Sequence, residues 1–384
     1  MSTIAILSVS AGAGHVRCAE ALTIAAEQRG LKAVHVDVMD LVPRLFRKIY
    51  VDSYLSVVNG NPALWGYLYH ASDRRRPDAI VNRLRAQVER LNARALEEHL
   101  AHIAPDHVVC THFLPAQLIA RLIRKRRFDK PTWVAVTDFD VHALWVHQGM
   151  TGYCAAAEEI AWRMRDRGLE ATRIAVTGIP IMPAFRERLP REECVRELGL
   201  DPARTTFLMM SGGFGVGALD SLSERLLSIP GDHQIIALAG RNAELLGRLH
   251  HLAQLHPGRL FPLGFTRTIE KAMACADLAI SKPGGLTTAE CLAVGLPMLV
   301  ISPIPGQEER NADYLLENGA ALKAHDAAGL EYRVRGLLSQ PHRLAALRAQ
   351  ATRLGRPRAA DAVLDQVLEP GAERASTLGA TTRR

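Results

Sequence analysis

The sequence is poor in aromatic residues and contains no long apolar run. Phe, Trp and Tyr together make up 5% of its 384 residues. No apolar stretch approaches the roughly 20 residues that a membrane-spanning helix needs, and the first residues lack the charged-then-apolar pattern of a secretion signal. We therefore expect a cytoplasmic protein that is either soluble or attached to a membrane surface.

Cysteine is also sparse. The six cysteines lie far apart, and none belongs to a Cys-x-x-Cys pair. Paired cysteines at short spacing are typical of zinc sites and of small disulfide-bonded domains. The sequence thus predicts reduced thiols, with no disulfide framework and no metal site. The six positions are Cys18, Cys110, Cys154, Cys194, Cys275 and Cys291.

Positive charge is concentrated in one part of the chain. The formal net charge is +7, and residues 41–130 hold 16 Lys and Arg against 8 Asp and Glu. Within residues 41–50 the basic residues alternate with large apolar ones, which suits contact with anionic lipid headgroups. The alternatives are a solvated basic surface and a nucleic-acid interface, but no nucleic-acid motif accompanies these residues.

The chain is too long for one ordinary core, so two domains are expected. Each half alternates strand-like apolar runs with helix-like patterns, which predicts an α/β fold built on parallel, doubly wound sheets. Two prolines in residues 178–183 interrupt regular structure. We place an N-terminal domain at 1–180 and a C-terminal domain at 181–370. Residues 371–384 are predicted to be a disordered tail.

Residues 281–290, Ser-Lys-Pro-Gly-Gly-Leu-Thr-Thr-Ala-Glu, join a predicted strand to a predicted helix. Without a Cβ, Gly284 and Gly285 would let backbone N–H groups approach a diphosphate at the helix start. Glu290, one turn further on, could accept hydrogen bonds from ribose hydroxyls. The alternative is that the glycines only permit a tight turn and that Glu290 is a solvated helix residue.

Two polar residues of the first half follow predicted strands. His15 comes after the first strand, and Asp138 follows the strand at residues 132–137. Strand carboxyl ends line the ligand crevice of such sheets, so either group could act as a general base. His15 could instead only bond its own loop, and Asp138 could cap a turn. His142 is a candidate contact for a phosphate or lipid headgroup.

Residues 40–75 mix aromatic and basic side chains. Such a segment could cover an acceptor pocket or enter a bilayer surface, and ordinary core packing is the alternative. Its candidate acceptor and membrane residues are Phe46, Arg47, Tyr50 and Trp65.

Several short motifs recur in the order and spacing of a known family. They are Gly14-His15, residues 137–139 (Thr-Asp-Phe), 176–181 (Val-Thr-Gly-Ile-Pro-Ile), 281–285, 305–308 (Pro-Gly-Gln-Glu) and Asn311-Ala312. With these motifs the chain resembles, from about residue 3 to 368, the diacylglycerol glycosyltransferases. That group includes bacterial processive diacylglycerol glucosyltransferases and monogalactosyldiacylglycerol synthases (glycosyltransferase family 28). It is related to the peptidoglycan transferase that makes lipid II.

The resemblance implies a GT-B fold, in which two Rossmann-like domains face a central cleft. It implies an inverting transfer of a hexose from a UDP-sugar to 1,2-diacylglycerol at the inner face of the cell membrane. No metal and no cofactor are expected. His15 and Asp138 match positions near the acceptor. The implied donor-binding residues are Gly213, Arg241, Phe265, Gly284, Gly285, Thr287, Glu290, Gln307 and Glu308.

The sequence leaves several choices open. The Gly-x-Gly-His-Val form favours glucose first and galactose second. Ser10 stands where the plant galactosyl enzymes carry an acidic residue, so His15 or Asp138 must take the proton. A UDP-sugar epimerase of the same fold and a non-catalytic nucleotide-sugar-binding module are the alternative functions.

Overall fold

The computed structural model describes residues 2–10, 12–42, 66, 73, 94–210 and 219–369. The first lobe is an α/β unit in which helices connect parallel strands, and residues 94–103 are also helical. Its elements are β1 (Thr3–Ser8), α1 (Ala13–Gln28), β2 (Lys32–Asp37), β3 (His107–Cys110), α2 (Phe113–Arg124), β4 (Thr132–Ala135), β5 (Gly152–Ala155), α3 (Glu158–Asp166) and β6 (Ile174–Val176).

The second lobe repeats this alternation and ends in a run of helices. Its elements are α4 (Arg191–Glu197), β7 (Thr205–Met210), α5 (Leu219–Leu227), β8 (His233–Gly240), α6 (Ala243–Leu255), β9 (Leu260–Gly264), α7 (Ile269–Cys275), β10 (Leu278–Ser281), α8 (Gly285–Ala293), β11 (Met298–Ile301), α9 (Gln307–Glu317), β12 (Ala321–Ala324), α10 (Ala327–Ser339), α11 (Pro341–Leu354) and α12 (Ala359–Leu368).

Each lobe is organised around a six-stranded parallel sheet, which confirms the predicted doubly wound α/β architecture. The strand orders are β2-β1-β3-β4-β5-β6 and β12-β11-β10-β7-β8-β9. In such sheets ligands bind beyond the strand carboxyl ends, where the order reverses. The reversals lie between β1 and β3 in the first lobe and between β7 and β10 in the second. These two edges carry the loop before His15 and the turn at Gly284 and Gly285.

One part of the predicted domain division needs correction, because α12 returns to the first lobe. Its apolar face is buried against β1 and α1, with Val363 and Leu364 inaccessible to solvent. Arg29 of α1 forms ion pairs with Asp361 and Asp365 of α12, at 2.9 and 2.6 Å. Fully burying one large aliphatic side chain contributes about 1.5–3 kcal/mol, so this face decides where α12 docks.

Two local features depend on contacts beyond residue propensity. The helix α2 begins at Phe113, two residues before Pro115, and the ring of His112 accepts the Leu114 N–H as its cap. Residues 321–324 form strand β12 because pairing with β11 outweighs the weak strand preference of Ala-Leu-Lys-Ala.

Three further findings concern the described residues only. No helix there is long and apolar enough to cross a membrane. Within the same ranges, His, Cys, Asp and Glu side chains form no group of three that could hold a metal ion. All six cysteines are buried free thiols.

Candidate functional site

His15 lies in the first turn of α1, just beyond β1, and its ring is held from two sides. Nδ1 is 3.0 Å from the carbonyl oxygen of Thr111 and 2.9 Å from the hydroxyl of Thr137. A carbonyl oxygen can only accept a hydrogen bond, so Nδ1 carries the proton. The neutral ring therefore keeps an unprotonated Nε2, which is the atom that a general base needs.

A second histidine packs against the first. The rings of His15 and His112 meet edge to face at 4.5 Å, and Trp145 lies 6.3 Å from both. Burial lowers the pKa of His15 to about 4, and the hydrogen bond to Thr111 only partly opposes this. Burial also lowers the pKa of His112. Both rings are thus neutral near pH 7.

Asp138 follows β4 at the contact between the lobes, one residue after Thr137, whose hydroxyl contacts His15. Its Oδ1 accepts a hydrogen bond of 3.3 Å from the side-chain amide of Asn311, which belongs to the second lobe. Burial raises the pKa of Asp138 to about 6, against the effect of the Asn311 bond, and Asp140 adds to the rise. A carboxylate with a pKa near the working pH suits acid–base catalysis.

The start of α8 contacts the same strand end. The helix begins at Gly285 with Gly284 as its N-cap, and no side chain caps it among the described residues. A Cβ added to Gly285 would overlap the carbonyl oxygen of Thr137 and lie 3.2 Å from Asp138 Oδ1. The glycine turn of the second lobe is therefore in direct contact with the segment that carries Asp138.

Gly14 forms a second contact between the two lobes. A Cβ on Gly14 would lie 3.6 Å from the Cβ of Leu286 in α8. The loop before His15 thus faces the helix whose N-terminus is the predicted diphosphate site.

Glu290 is buried in α8, with 7% of its surface exposed. Burial raises its pKa to about 7, and Arg17 of α1 opposes that rise. The carboxyl group is also close enough to Cys18 to raise the pKa of that thiol. Glu290 therefore lies on the side of α8 that faces the first lobe, which excludes the alternative of a solvated helix residue.

The predicted sugar-binding residues lie beside the glycine turn. Glu308 Oε2 accepts the Ile304 N–H at 2.7 Å, and Oε1 would lie 3.8 Å from a Cβ on Gly284. The hydroxyl of Thr287 would be 4.0 Å from the same atom. Burial raises the pKa of Glu308, which its bond to Ile304 and nearby Lys282 oppose. Gln307 is the first residue of α9.

Arg241 and Phe265 form a pair beyond β8 and β9. The guanidinium carbon lies 4.7 Å from the centre of the Phe265 ring, and the ring is 55% exposed. An exposed aromatic face of this kind suits stacking with a planar base. The pair lies beyond two strand ends of the second sheet, and its role in donor binding stays a prediction.

His142 is placed differently from the other candidates. It is 5% exposed, and its ring accepts the Leu144 N–H at 3.1 Å as the cap of a short 3₁₀ turn. A buried capping ring is not available to a membrane surface. Five further candidates fall outside the described residues: Phe46, Arg47, Tyr50, Trp65 and Gly213.

Three residues at the contact between the lobes were not among the predicted site residues. Thr111 and Thr137 hold the imidazole, and their positions just after β3 and β4 could have pointed to them. Asn311 is fully buried and contacts Asp138 from the other lobe. Thr137 and Asn311 belong to motifs noted in the sequence, but those motifs do not signal a contact between the lobes.

Two family models match the chain. The monogalactosyldiacylglycerol (MGDG) synthase model matches residues 15–181, and the glycosyltransferase family 28 C-terminal domain model matches residues 224–363. A processive diacylglycerol beta-glucosyltransferase from Bacillus pumilus is 27% identical over 371 residues, which are 95% of this chain and 94% of the relative.

Solved structures share the fold at low identity. MurG from Acinetobacter baumannii superposes with a TM-score of 0.63 at 18% identity and covers 96% of this chain and 99% of its own. A UDP-GlcNAc 2-epimerase from Neisseria meningitidis, bound to UDP-GlcNAc, has a TM-score of 0.60 at 12% identity and covers 96% and 100%. With the two parallel sheets, these similarities confirm the predicted GT-B fold.

Proposed function

We propose that the chain is a diacylglycerol glycosyltransferase of glycosyltransferase family 28, as its similarity to two family models and to a processive diacylglycerol glucosyltransferase supports. In this proposal it transfers a hexose from a UDP-sugar to the hydroxyl of 1,2-diacylglycerol with inversion. Glucose is the first candidate sugar, because the curated relative is named a glucosyltransferase. Galactose is the second. The proposed product is a membrane glycolipid made at the inner face of the cell membrane.

One observation carries the proposal: the glycine turn at Gly285 meets Thr137 and Asp138 of the other lobe, beside His15. A donor whose diphosphate lay at the start of α8 would place its anomeric carbon near these groups. The first N–H groups of a helix and its dipole favour an anion. They would stabilise the charge that grows on the leaving UDP, together with Arg241.

The reaction then needs a proton acceptor for the attacking hydroxyl. In our proposal the diacylglycerol oxygen forms its bond to the anomeric carbon as the bond to the β-phosphate oxygen breaks, and its proton passes to Nε2 of His15. The tautomer fixed by Thr111 leaves this nitrogen free to accept. The negative charge of Asp138 stabilises the imidazolium that forms. Turnover in excess EDTA would test whether this chemistry needs a metal.

Incubation with radiolabelled UDP-glucose or UDP-galactose, with and without diacylglycerol vesicles, tests the function. We expect labelled lipid only when diacylglycerol is present, and more of it from UDP-glucose. A changed sugar nucleotide without lipid would identify an epimerase. Binding of UDP without any conversion would identify a non-catalytic module. Flotation of the protein with vesicles rich in anionic lipid would test peripheral membrane attachment.

A further inference from the structure

The loop after β4 is attached to the second lobe through Asn311 of α9. The side-chain oxygen of Asn311 accepts the backbone N–H of Phe139 at 2.7 Å, and its NH₂ group donates to Asp138 Oδ1 at 3.3 Å. Asn311 is fully buried. One amide thus satisfies a backbone donor and a carboxylate on two successive residues of the other lobe.

The neighbouring side chains hold the loop against the same helix. The Phe139 ring stacks on Tyr314 with centroids 4.6 Å apart and ring planes 22° apart. Asp140 lies 3.7 Å from Arg163 of its own lobe and 3.7 Å from Arg310 of α9. Three residues of α9, namely Arg310, Asn311 and Tyr314, therefore contact the loop after β4. Among them, Asn311 contacts Asp138.

We propose that Asn311 is a positioning residue of the transfer reaction, which holds the Asp138 carboxylate in place at the contact between the lobes. The proposal rests on the transferase function proposed above. It joins the two halves of the site, because α9 begins with Gln307 and Glu308, the predicted contacts of the donor sugar. The helix proposed to bind the donor would then also orient the carboxylate that stabilises the imidazolium of His15.

The amide is suited to this task because it donates and accepts at once. A hydrogen bond to the ionised form of a carboxyl group favours that form, and the Asn311 bond lowers the pKa of Asp138 against the stronger effect of burial. The titratable groups around Asp138 are His15 and Cys18 on α1, Asp140 on its own loop and Glu308 on α9. Burial lowers the pKa of His15 to about 4, so none of these four groups is positively charged near pH 7 before the reaction, and the amide of Asn311 favours the carboxylate.

Asn311→Asp separates positioning from simple tethering. The new carboxylate can still accept the Phe139 N–H, but it cannot donate to Asp138 and adds a like charge beside it. Both changes raise the pKa of Asp138. We expect the acid limb of the kcat–pH profile to move upward by about one pH unit, which alone would roughly halve kcat at pH 7. Loss of the bond that positions the carboxylate should lower the plateau of kcat by about 10-fold or more. The Kd of UDP, measured by calorimetry, should stay within about threefold.

Asn311→Ala is the second variant, since it removes the donor without adding charge. Its acid limb should move in the same direction by a smaller amount. Asn318→Asp is the matched control, because the Asn318 amide lies at the other end of α9 and donates to the Tyr314 carbonyl at 2.8 Å. It should keep the pH profile of the unmodified protein.

A direct measurement of the carboxyl group makes the test independent of turnover. The carboxyl ¹³C resonances of labelled aspartate would be titrated in the unmodified protein and in Asn311→Ala, with Asp138→Asn assigning the signal. A higher pKa of Asp138 in Asn311→Ala supports the proposal. An unmoved pKa overturns it, as does an Asn311→Asp enzyme with an unmoved acid limb. If the unmodified protein transfers no sugar, the proposed function fails, and the titration still decides the role of Asn311.

Discussion

The backbone carbonyl oxygen of Thr137, in the first lobe, occupies the space that a side chain on Gly285, in the second lobe, would need. Gly285 is the first residue of α8 and has ordinary helical geometry. A glycine is therefore needed here because the other lobe comes so close, and not because of backbone strain. The same threonine contacts His15 through its hydroxyl group. Thr137 therefore contacts the second lobe through its carbonyl oxygen and orients the imidazole of His15 through its hydroxyl group.

Gly285→Ala should destabilise the ligand-free protein. A Cβ there would overlap backbone, which cannot move aside as a flexible side chain can, and such overpacking costs about 1–3 kcal/mol. We expect a lower free energy of unfolding in urea and a lower midpoint of thermal unfolding.

Gly284→Ala is the matched control for that measurement. A Cβ at Gly284 would meet its nearest neighbours at 3.8 and 4.0 Å, which are ordinary contacts, and its φ of −61° suits alanine. Ligand-free stability should stay within about 0.5 kcal/mol. Equal losses from both substitutions would show that the two lobes do not approach as closely as described.

His15→Gln and Asp138→Asn should both lower kcat, but only Asp138→Asn should change the pH dependence of kcat. A positioned base typically contributes about 10²–10⁴-fold, so we expect losses in that range, with little change in the Kd of UDP. In the proposed mechanism activity requires ionised Asp138, and burial raises the pKa of this carboxyl group to about 6. The rate of the unmodified enzyme should therefore fall as the pH drops through about 6.

The acid limb distinguishes the two groups. His15→Gln should retain the limb near pH 6, since the pKa of His15 is lowered to about 4. Asp138→Asn should lose it. A limb that vanished in His15→Gln and persisted in Asp138→Asn would reverse these assignments.

Thr288→Val should stabilise the protein. The Thr288 hydroxyl is buried in α8 and has no hydrogen-bond partner among the described residues. Replacing a buried, unpaired hydroxyl by a methyl group of similar shape removes its desolvation cost, which is about 1 kcal/mol or more. Urea unfolding would measure the gain, with the partly exposed neighbour Thr287→Val as control. A loss of stability would mean that the hydroxyl is satisfied by water.

The sequence was sufficient to predict the groups that follow strands. His15, Asp138 and Gly285 lie at strand ends, and parallel strands bring their carboxyl ends to one edge of a sheet. The apolar periodicity that defines strands and helices is local, so these positions could be assigned without knowing how the lobes pack.

Contacts between the lobes could not be predicted in this way. The bonds of Asn311 to the other lobe, the burial of Glu290 against α1 and the docking of α12 all join residues far apart in the chain. The helical pattern of α12 shows an apolar face, but it does not say which lobe will cover that face. Which lobe covers the apolar face of α12 depends on the tertiary packing of the whole chain.

The buried carboxyl group of Glu290 should make the stability of the protein depend on pH. Its pKa is raised by burial from 4.5 to about 7. Below pH 4.5 the group is protonated in both the folded and the unfolded state, so its ionisation does not change the stability. Between pH 4.5 and 7 the unfolded state loses its proton first, and stability falls as the pH rises. Glu290→Gln stays neutral, so its free energy of unfolding at pH 8 should exceed that of the unmodified protein by about 1–3 kcal/mol.

Thermal unfolding at pH 4 and pH 8 would measure the effect, with the exposed Glu244→Gln as control. Glu290→Gln should match the unmodified protein at pH 4 and exceed it at pH 8. If the ionised carboxylate accepts the ribose hydroxyls, UDP-glucose, whose diphosphate does not titrate in this range, should bind the unmodified protein more weakly as the pH drops below about 7. Glu290→Gln should lack this dependence. An affinity for UDP-glucose with the same pH dependence in both proteins would contradict the ribose role, while the stability difference would still report the burial of the carboxyl group.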